Sequence, residues 1–256
     1  MFNIEEFDIK LDTEVLGRNF IYCSEVDSTN TVLLENKEFD IHGTVLLAEY
    51  QTSGRGRKND RQWLSNKEHN LTFSILLKED FSTENINVVN FATALSIAQS
   101  IENLYQLRVE LKWPNDVLIN KCKCSGILLE STSKGNEISK VVIGVGINVN
   151  QPTFPGKYLL PPTSIKKEFK ETVSREKLLS ELLNILEENI KLSQTAPQKI
   201  MSDWKSRCKM IGEKIKVEEG EIVKHGIFDD VDETGCLLLK VDSKIEKIHY
   251  GDVSLR

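Results

Sequence analysis

The sequence predicts an α/β (α+β) chain: a mixed sheet with helices over residues 1–210, then a small all-β domain over residues 211–256. Three observations carry this. Short apolar runs bounded by turn residues recur up to about Cys208, as buried strands do. Long segments between them, Asn87 to Tyr105 and Lys177 to Leu192, space their apolar residues as a helix does. After Gly212 only short alternating runs remain, separated by turn residues.

Phe20 to Cys23 reads as a first short strand. Ser28-Thr29-Asn30 offers helix-capping chemistry before Val32, Leu33 and Leu34. Thr44 to Tyr50 and Leu71 to Leu77 are strands by their continuous apolar character. The helix from Asn87 to Tyr105 presents Val88, Phe91, Ala92, Leu95 and Ala98. Val109 to Trp113 is a strand stopped by Pro114. Val117 to Ile119 and Gly126 to Ser131 are strands joined through a polar turn at Asn120-Lys121. Val141 to Val149 is a strand interrupted by Gly144 and Gly146, and Lys199 to Cys208 a further helix. In the tail, Lys214 to Val217, Glu221 to Phe228, Cys236 to Val241 and Ile245 to Tyr250 alternate as the strands of a small barrel do. A barrel so small has a thin core and is expected to lean on the larger domain.

Composition bounds the function. Of 256 residues, 39% are hydrophobic and 28% charged, enough to build a sizeable core. A formal net charge of -6 argues against a general nucleic-acid binder, which carries a basic footprint. No apolar run is long enough to span a bilayer. Met1 to Lys10 is broken by Glu5, Glu6 and Asp8, unlike a signal peptide. Five cysteines without a CxxC pair suggest a reduced, cytoplasmic protein. Cys122 and Cys124 read as strand residues, because no further His or Cys completes a zinc set.

Against this acidic background, Gly54-Arg55-Gly56-Arg57-Lys58-Asn59-Asp60-Arg61-Gln62-Trp63 concentrates positive charge around two glycines. Glycine lets backbone bend and approach a ligand closely. Arginine offers a planar charged fork for carboxylate or phosphate. The run fits a loop that closes over an anion; alone, it fits a solvated basic loop or a nucleic-acid patch equally well.

Four further segments decide between these. They are Glu25-Val26-Asp27-Ser28-Thr29-Asn30, Lys112-Trp113-Pro114-Asn115-Asp116, Lys123-Cys124-Ser125-Gly126-Ile127-Leu128 and Gly144-Val145-Gly146-Ile147-Asn148. With Ala48 to Arg57, and in this order, they resemble the biotin protein ligases. The resemblance runs from about Arg18 to the end, and the tail Tyr250 to Arg256 is similar to that family's SH3-like C-terminal domain. It implies a catalytic domain like that of class II aminoacyl-tRNA synthetases, with helices on one face of the sheet. The family's loop usually reads GRGRxxRxW; here three residues, Lys58-Asn59-Asp60, separate Arg57 from Arg61. Only about twenty residues precede the first motif, too few for the helix-turn-helix repressor domain of many bacterial relatives, so the resemblance implies the short type.

The implied reaction joins biotin to AMP from ATP, then transfers biotin to a lysine of a carboxyl carrier protein. An anionic carboxylate must approach an anionic polyphosphate, so the site needs fixed positive charge. The resemblance assigns that role to Lys123, with Arg57 on the phosphate side and Arg55 on the biotin carboxylate or the closing loop. Gly54 and Gly56 free the loop to exclude water. Ser28, Thr29 and Gln51 match positions that read the ureido head group, with Asn30 also on the biotin side; Ser28 also fits a plain helix cap. Gly126, Gly144 and Gly146 admit the ligand where a side chain would clash. The nucleotide falls to Arg57, Arg61, Trp63, Lys112, Asn115 and Asn148, although Trp63 alone would read as core. Asp116 matches a position that orients the acceptor lysine or takes its proton. Mg²⁺ is expected with ATP's phosphates, without a dedicated metal site. DNA and a membrane are not expected partners; a homodimer is possible. A lipoate–protein ligase shares this logic but needs no ureido reader. A non-catalytic biotin-sensing or protein-binding module needs no α-phosphate clamp.

Overall fold

Residues 1–58, 62–78, 86–134 and 137–255 are described by the structure, a computed structural model. Strands β1 (Phe20–Cys23), β2 (Val45–Ala48), β3 (Leu71–Leu77), β4 (Val109–Lys112), β5 (Asp116–Ile119), β6 (Cys122–Lys134) and β7 (Glu137–Ile147) form one sheet. Its order is β1-β2-β3-β7-β6-β5-β4. Only β1–β2 is parallel; the other pairs are antiparallel, so the sheet is mixed as expected. Asn120 and Lys121 take φ of 51° and 64° between β5 and β6, the twist a two-residue hairpin requires.

Three helices cover one face: α3 (Ile86–Tyr105), α5 (Arg175–Thr195) and α6 (Pro197–Arg207). They bury Phe91, Leu95, Leu179, Leu182 and Leu186 against Leu47, Phe73, Ile75 and Ile143. Thr93 and Ser96, buried within α3, donate back to Val89 O at 2.8 Å and Ala92 O at 2.7 Å, so neither of these two hydroxyls is left unpaired. Shorter helices among the described residues include α1 (Ile4–Lys10), α2 (Thr29–Glu35) and α4 (Ile165–Phe169).

The expectation of helices on one face alone is corrected here. Helix α2 lies on the opposite face, where Leu33 packs with Leu46, Leu76 and Val142. Strand periodicity is the reason. Leu46, Leu76 and Val142 alternate with residues of the main core and point away from it, and a helix with one apolar stripe covers them. Strand β7 also begins earlier than Val141 and stops at Ile147, because Asn148 turns away to pair with other segments.

The second sheet contains β8 (Lys214–Glu219), β9 (Ile222–Val231), β10 (Leu237–Val241), β11 (Lys244–Ile248) and β12 (Asp252–Leu255), in the order β11-β10-β9-β8-β12 and antiparallel throughout. Its Ile215, Val217, Phe228, Leu237 and Leu239 join the same apolar cluster as the main sheet, so the small sheet does lean on the larger body. A turn makes the joint. Trp113 Nε1 donates to Gly235 O at 3.0 Å, and Asn87 Nδ2 to Thr234 O at 2.9 Å. Gly235 has φ +80°, and a Cβ there would stand 2.6 Å from Asn87 Cβ; a side chain would push the sheets apart. Trp113 is core, as read, at 1% exposure.

The N-terminal segment is tied down by carboxylates. Glu187 accepts from the backbone N–H groups of Glu14, Val15 and Leu16 at 2.7–2.9 Å. Glu49 accepts from Phe2 N at 3.0 Å and Tyr22 Oη at 2.8 Å, and pairs with Arg175 at 2.5 Å. Among the described residues, no helix is long and apolar enough to cross a membrane.

Candidate active site

Beyond α2, the same sheet face is opened by glycines at three of six positions. Register places Gly126, Gly146 and Thr72 in one row across β6, β7 and β3, and Leu128, Gly144 and Ser74 in the next. The third row, Glu130, Val142 and Leu76, begins to pass under α2. Three glycines on adjacent strands make a floor on which another group can lie against backbone.

What lies there explains each glycine. A Cβ on Gly144 would run into the Asn30 amide, 2.9 Å from its Cγ. A Cβ on Gly146 would stand 2.6 Å from Trp63 Cζ2, inside the indole. On Gly126 it would meet Lys123 Cε and Nζ at 3.1 Å and Trp63 Cζ3 at 3.6 Å. Asn30, Trp63 and Lys123 therefore converge over one patch. The buried Trp63 Nε1 has no hydrogen-bond partner among the described residues.

At the Asn30 end, the start of α2 supplies a polar network. Ser28 caps the helix, accepting from Thr31 N. Thr29 N donates to Gln51 Oε1 at 2.7 Å, and Thr29 Oγ1 lies 3.0 Å from the same oxygen. Ser74 Oγ lies 2.6 Å from Thr29 Oγ1 and 2.5 Å from Asn30 Oδ1. Asn30 Nδ2 donates to Leu128 O at 3.1 Å and Glu130 Oε2 at 2.7 Å. Arg55 Nη2 closes the line on Glu130, at 3.0 and 2.9 Å from its two oxygens.

The other end is charged. Lys123, second on the hairpin arm after the turn, puts Nζ 2.5 Å from Asp116 Oδ1, and Lys112 Nζ stands 3.4 Å from Oδ2. Burial alone would raise the Asp116 carboxyl. The two lysines outweigh it and hold Asp116 below the usual carboxylate range. Asp116 thus acts as a fixed anion that aims Lys123. A parallel bridge to Pro162 flanks the lysine: Lys123 N donates to Pro161 O at 2.7 Å and Thr163 N to Lys123 O at 2.9 Å. Glu168 of α4 ties this segment to the hairpin turn, accepting from Thr163 Oγ1 at 2.5 Å and Asn120 Nδ2 at 2.6 Å.

The basic loop folds back on itself. Trp63 N donates to Gly54 O at 3.1 Å, and Arg55 bridges Gln62. A Cβ on Gly54 would meet Trp63 O at 2.6 Å and Gln51 Nε2 at 2.9 Å. Arg57 reaches the second sheet, donating to Gly251 O at 2.5 Å and Asp252 Oδ1 at 2.8 Å, with Lys58 Nζ 2.7 Å from Asp252 Oδ2. Arg61 lies outside the described residues.

The structure thus gathers Thr29, Asn30, Gln51, Arg55, Trp63, Lys123, Asp116, Lys112 and the three glycines. Arg57 is instead bonded to Gly251 and Asp252. Two other expected residues make structural bonds: Asn115 Nδ2 donates to Ile127 O at 2.6 Å, and Asn148 Nδ2 to Thr163 O at 3.1 Å. Cys122 and Cys124 lie in β6 as read, and burial pushes the Cys124 thiol well up. Among the described residues, no group of three His, Cys, Asp or Glu is gathered for a metal. Sequence reasoning missed Ser74, Glu130, Glu168 and Asp252. Ser74 was visible as a polar residue inside an apolar run, and Glu130 as a charge two residues beyond Leu128 on the strand face of Gly126. Asp252 carried no local signal.

Comparison with known proteins follows this geometry. Residues 22–148 match the sequence profile of the "Biotin/lipoate A/B protein ligase family", and residues 210–256 that of the "Biotin protein ligase C terminal domain". A biotin–[acetyl-CoA-carboxylase] ligase from Mycobacterium tuberculosis is 32% identical over 92% of this chain and 88% of its own. The bifunctional ligase/repressor BirA of Bacillus subtilis is 30% identical over 98% of this chain and 78% of its own. A biotin protein ligase from Aquifex aeolicus, solved in complex with biotin and ATP, superposes with a TM-score of 0.81 at 33% identity, covering 93% of this chain and 99% of that one.

Proposed function

Because the chain belongs to the biotin/lipoate A/B protein ligase family, we propose that it is an ATP-dependent biotin–protein ligase. It activates biotin as biotinyl-5′-AMP and transfers biotin to a lysine of a biotin carboxyl carrier protein. One observation carries the reading: a floor opened by Gly126, Gly144 and Gly146 joins a polar head-group reader at Thr29, Asn30 and Gln51 to a fixed cation at Lys123. Relatives named as biotin–[acetyl-CoA-carboxylase] ligases, and one solved with biotin and ATP, support the same substrates.

The chemistry follows from charge placement. A biotin carboxylate oxygen attacks the α-phosphorus of ATP, and the bond to pyrophosphate breaks. Both reactants are anions, and Lys123 neutralises the charge between them. Before reaction Asp116, ionised near neutral pH, steers the acceptor lysine electrostatically as an ammonium ion. The lysine then gives a proton to water, its neutral amine attacks the acyl carbon, the acyl–phosphate C–O bond breaks, AMP leaves, and the second nitrogen proton passes to water. The loop from Gly54 to Trp63 keeps water from the anhydride, with Trp63 laid over the floor and Arg57 held at β12. Lys112, Asn115 and Asn148 line the nucleotide side, Asn115 and Asn148 by holding the β5–β6 and Thr163 segments in place. Mg²⁺ arrives with ATP's phosphates. Asp116 is engaged by two lysines, so no step is assigned to a protein-bound ion.

The division at residues 210 and 211, an SH3-like C-terminal domain, a cytoplasmic location, no DNA partner, and a homodimer through the main sheet belong to the same proposal. A lipoate–protein ligase is the second reading. The oxygen-rich head-group site disfavours it, because a dithiolane ring has no N–H to offer. The test follows pyrophosphate release with ATP, Mg²⁺ and either biotin or lipoate. Biotin-dependent release supports the proposal, and release with lipoate alone refutes it.

A further inference from the structure

Helix α2 starts at the reader and ends on a charge that comes from another part of the chain. It has no basic residue in its own last turn. Its last helical bond runs from Asn36 N to Val32 O at 2.9 Å, which leaves the next carbonyls open. Lys140 of β7 takes them: Nζ donates to Leu33 O and to Leu34 O, each at 3.4 Å, a cation at the negative end of the helix. The same Nζ stands 2.8 Å from Asp40 Oδ1, and Lys78 Nζ stands 3.0 Å from Asp40 Oδ2. The Lys140 side chain is only 14% exposed. Asp40 thus ties the chain beyond α2 to the sheet and aims Lys140 at the helix end.

One strand therefore meets α2 at three successive positions of one face. Lys140 holds its end, Val142 shares the apolar cluster of Leu33 at its middle, and Gly144 lies under Asn30 at its start. The helix is laid antiparallel along β7. Lys123 belongs to the same sheet through β6 and stands over Gly126, in the row beyond Gly144. Backbone pairing fixes β6 against β7, whereas the helix is a separate piece. The span from reader to cation therefore depends on where α2 sits along β7. A slide of about 1.5 Å, one residue's rise, changes that span by close to the length of one methylene. The bonds at the start of α2 are those a bound head group competes for; the clamp at its end lies beyond the ligand's reach.

We propose that Lys140, aimed by Asp40, is a positioning residue that sets the acyl-chain length the site accepts. The inference rests on the biotin reading. In Lys140→Met the helix loses the cation at its end and slides along β7. An acid one methylene shorter or longer then brings its carboxylate to Lys123 with its head group still read.

The experiment follows pyrophosphate release with ATP, Mg²⁺ and biotin, or its analogues with one methylene fewer or one more in the acyl chain, at a temperature where each protein is folded. Wild-type protein uses both analogues at least about 10-fold less efficiently in kcat/KM than biotin. In Lys140→Met the ratio for at least one analogue falls to within about 3-fold. Asp40→Asn, which leaves Lys140 charged but unaimed, lowers the same ratio by a smaller factor and stands as the test should Lys140→Met not fold. Equal losses for all three acids, an unchanged ratio in the folded variants, or a wild type that does not discriminate overturns the clamp alone. Wild-type protein that releases no pyrophosphate with biotin overturns the ligase reading and the clamp with it.

Discussion

Replacing Lys123 by Met separates what the lysine does for chemistry from what it does for the fold. The substitution keeps the length and removes the charge. Nζ stands 2.5 Å from Asp116 Oδ1, and Lys112 holds the other oxygen at 3.4 Å. Without the lysine, a carboxylate whose side chain is only 13% exposed keeps one distant partner. An underpaired buried acceptor costs about 1–3 kcal/mol, here toward the lower end because Lys112 remains. For a chain of this size that lowers Tm by roughly 3–6 °C. The chemical loss is larger: a preorganised charge removed from the reacting phosphate lowers the rate by about 10²-fold or more. Asp116 also reports on the change through pH. Its folded-state pKa lies below the unfolded value, so its stabilisation is full above about pH 3.9 and is lost as pH falls through the folded value. Removing Lys123 raises the folded value, and acid unfolding moves to higher pH. Adding Asp116→Asn removes the stranded charge, so the double variant recovers Tm without recovering activity. Pyrophosphate release and thermal unfolding measure the two effects. Release within a few-fold of wild type by folded Lys123→Met refutes the reasoning.

Three other outcomes are expected. Gly146→Ala displaces the Trp63 indole from the floor and raises the KM for biotin at least about 10-fold, the equivalent of about 1.4 kcal/mol; an unchanged KM means the indole does not cover the ligand. Arg57→Gly frees the loop from Gly251 and Asp252, so biotinyl-AMP still forms but escapes, and an unrelated protein such as albumin becomes biotinylated on its lysines; labelling confined to the carrier protein counts against the loop as a seal. Arg175→Met strands Glu49, which Arg175, Tyr22 and Phe2 N together hold below its ordinary pKa despite burial, and destabilises the fold by about 3–5 kcal/mol, read as the denaturation midpoint; a loss below about 1 kcal/mol would show the pair to be dispensable.

The elements that follow strand or helix periodicity were legible in the sequence. Leu71–Leu77 agrees with its reading at both ends, and Ile86–Tyr105 within one residue. Turn chemistry located the Asn120-Lys121 hairpin, which positions Lys123. Helix α1 escaped because seven residues, with only Phe7 buried, show too little of a period. The side of the sheet that α2 occupies also escaped, because its partners Leu46, Leu76 and Val142 come from strands far apart in sequence. The same limit applies in the site. The lysine, the glycines and the helix start were visible as local motifs. Asp252 acts through a partner 195 residues away, and a proximity created by folding leaves no local mark.

The tie between Arg57 and β12 has a consequence for when the molecule becomes competent. Its two bonds join residues 194 and 195 positions apart, and β12 follows every other element named above in the sequence. Contacts of such long separation form late, because chain entropy must be lost before they contribute. During translation the floor, Lys123 and the reader can assemble while Gly251 and Asp252 are still inside the ribosome. A nascent chain at that stage can bind biotin but has no β12 to anchor its loop. The emergence of β12 therefore acts as a timer, withholding a sealed site, and with it safe handling of a reactive anhydride, until that strand has paired.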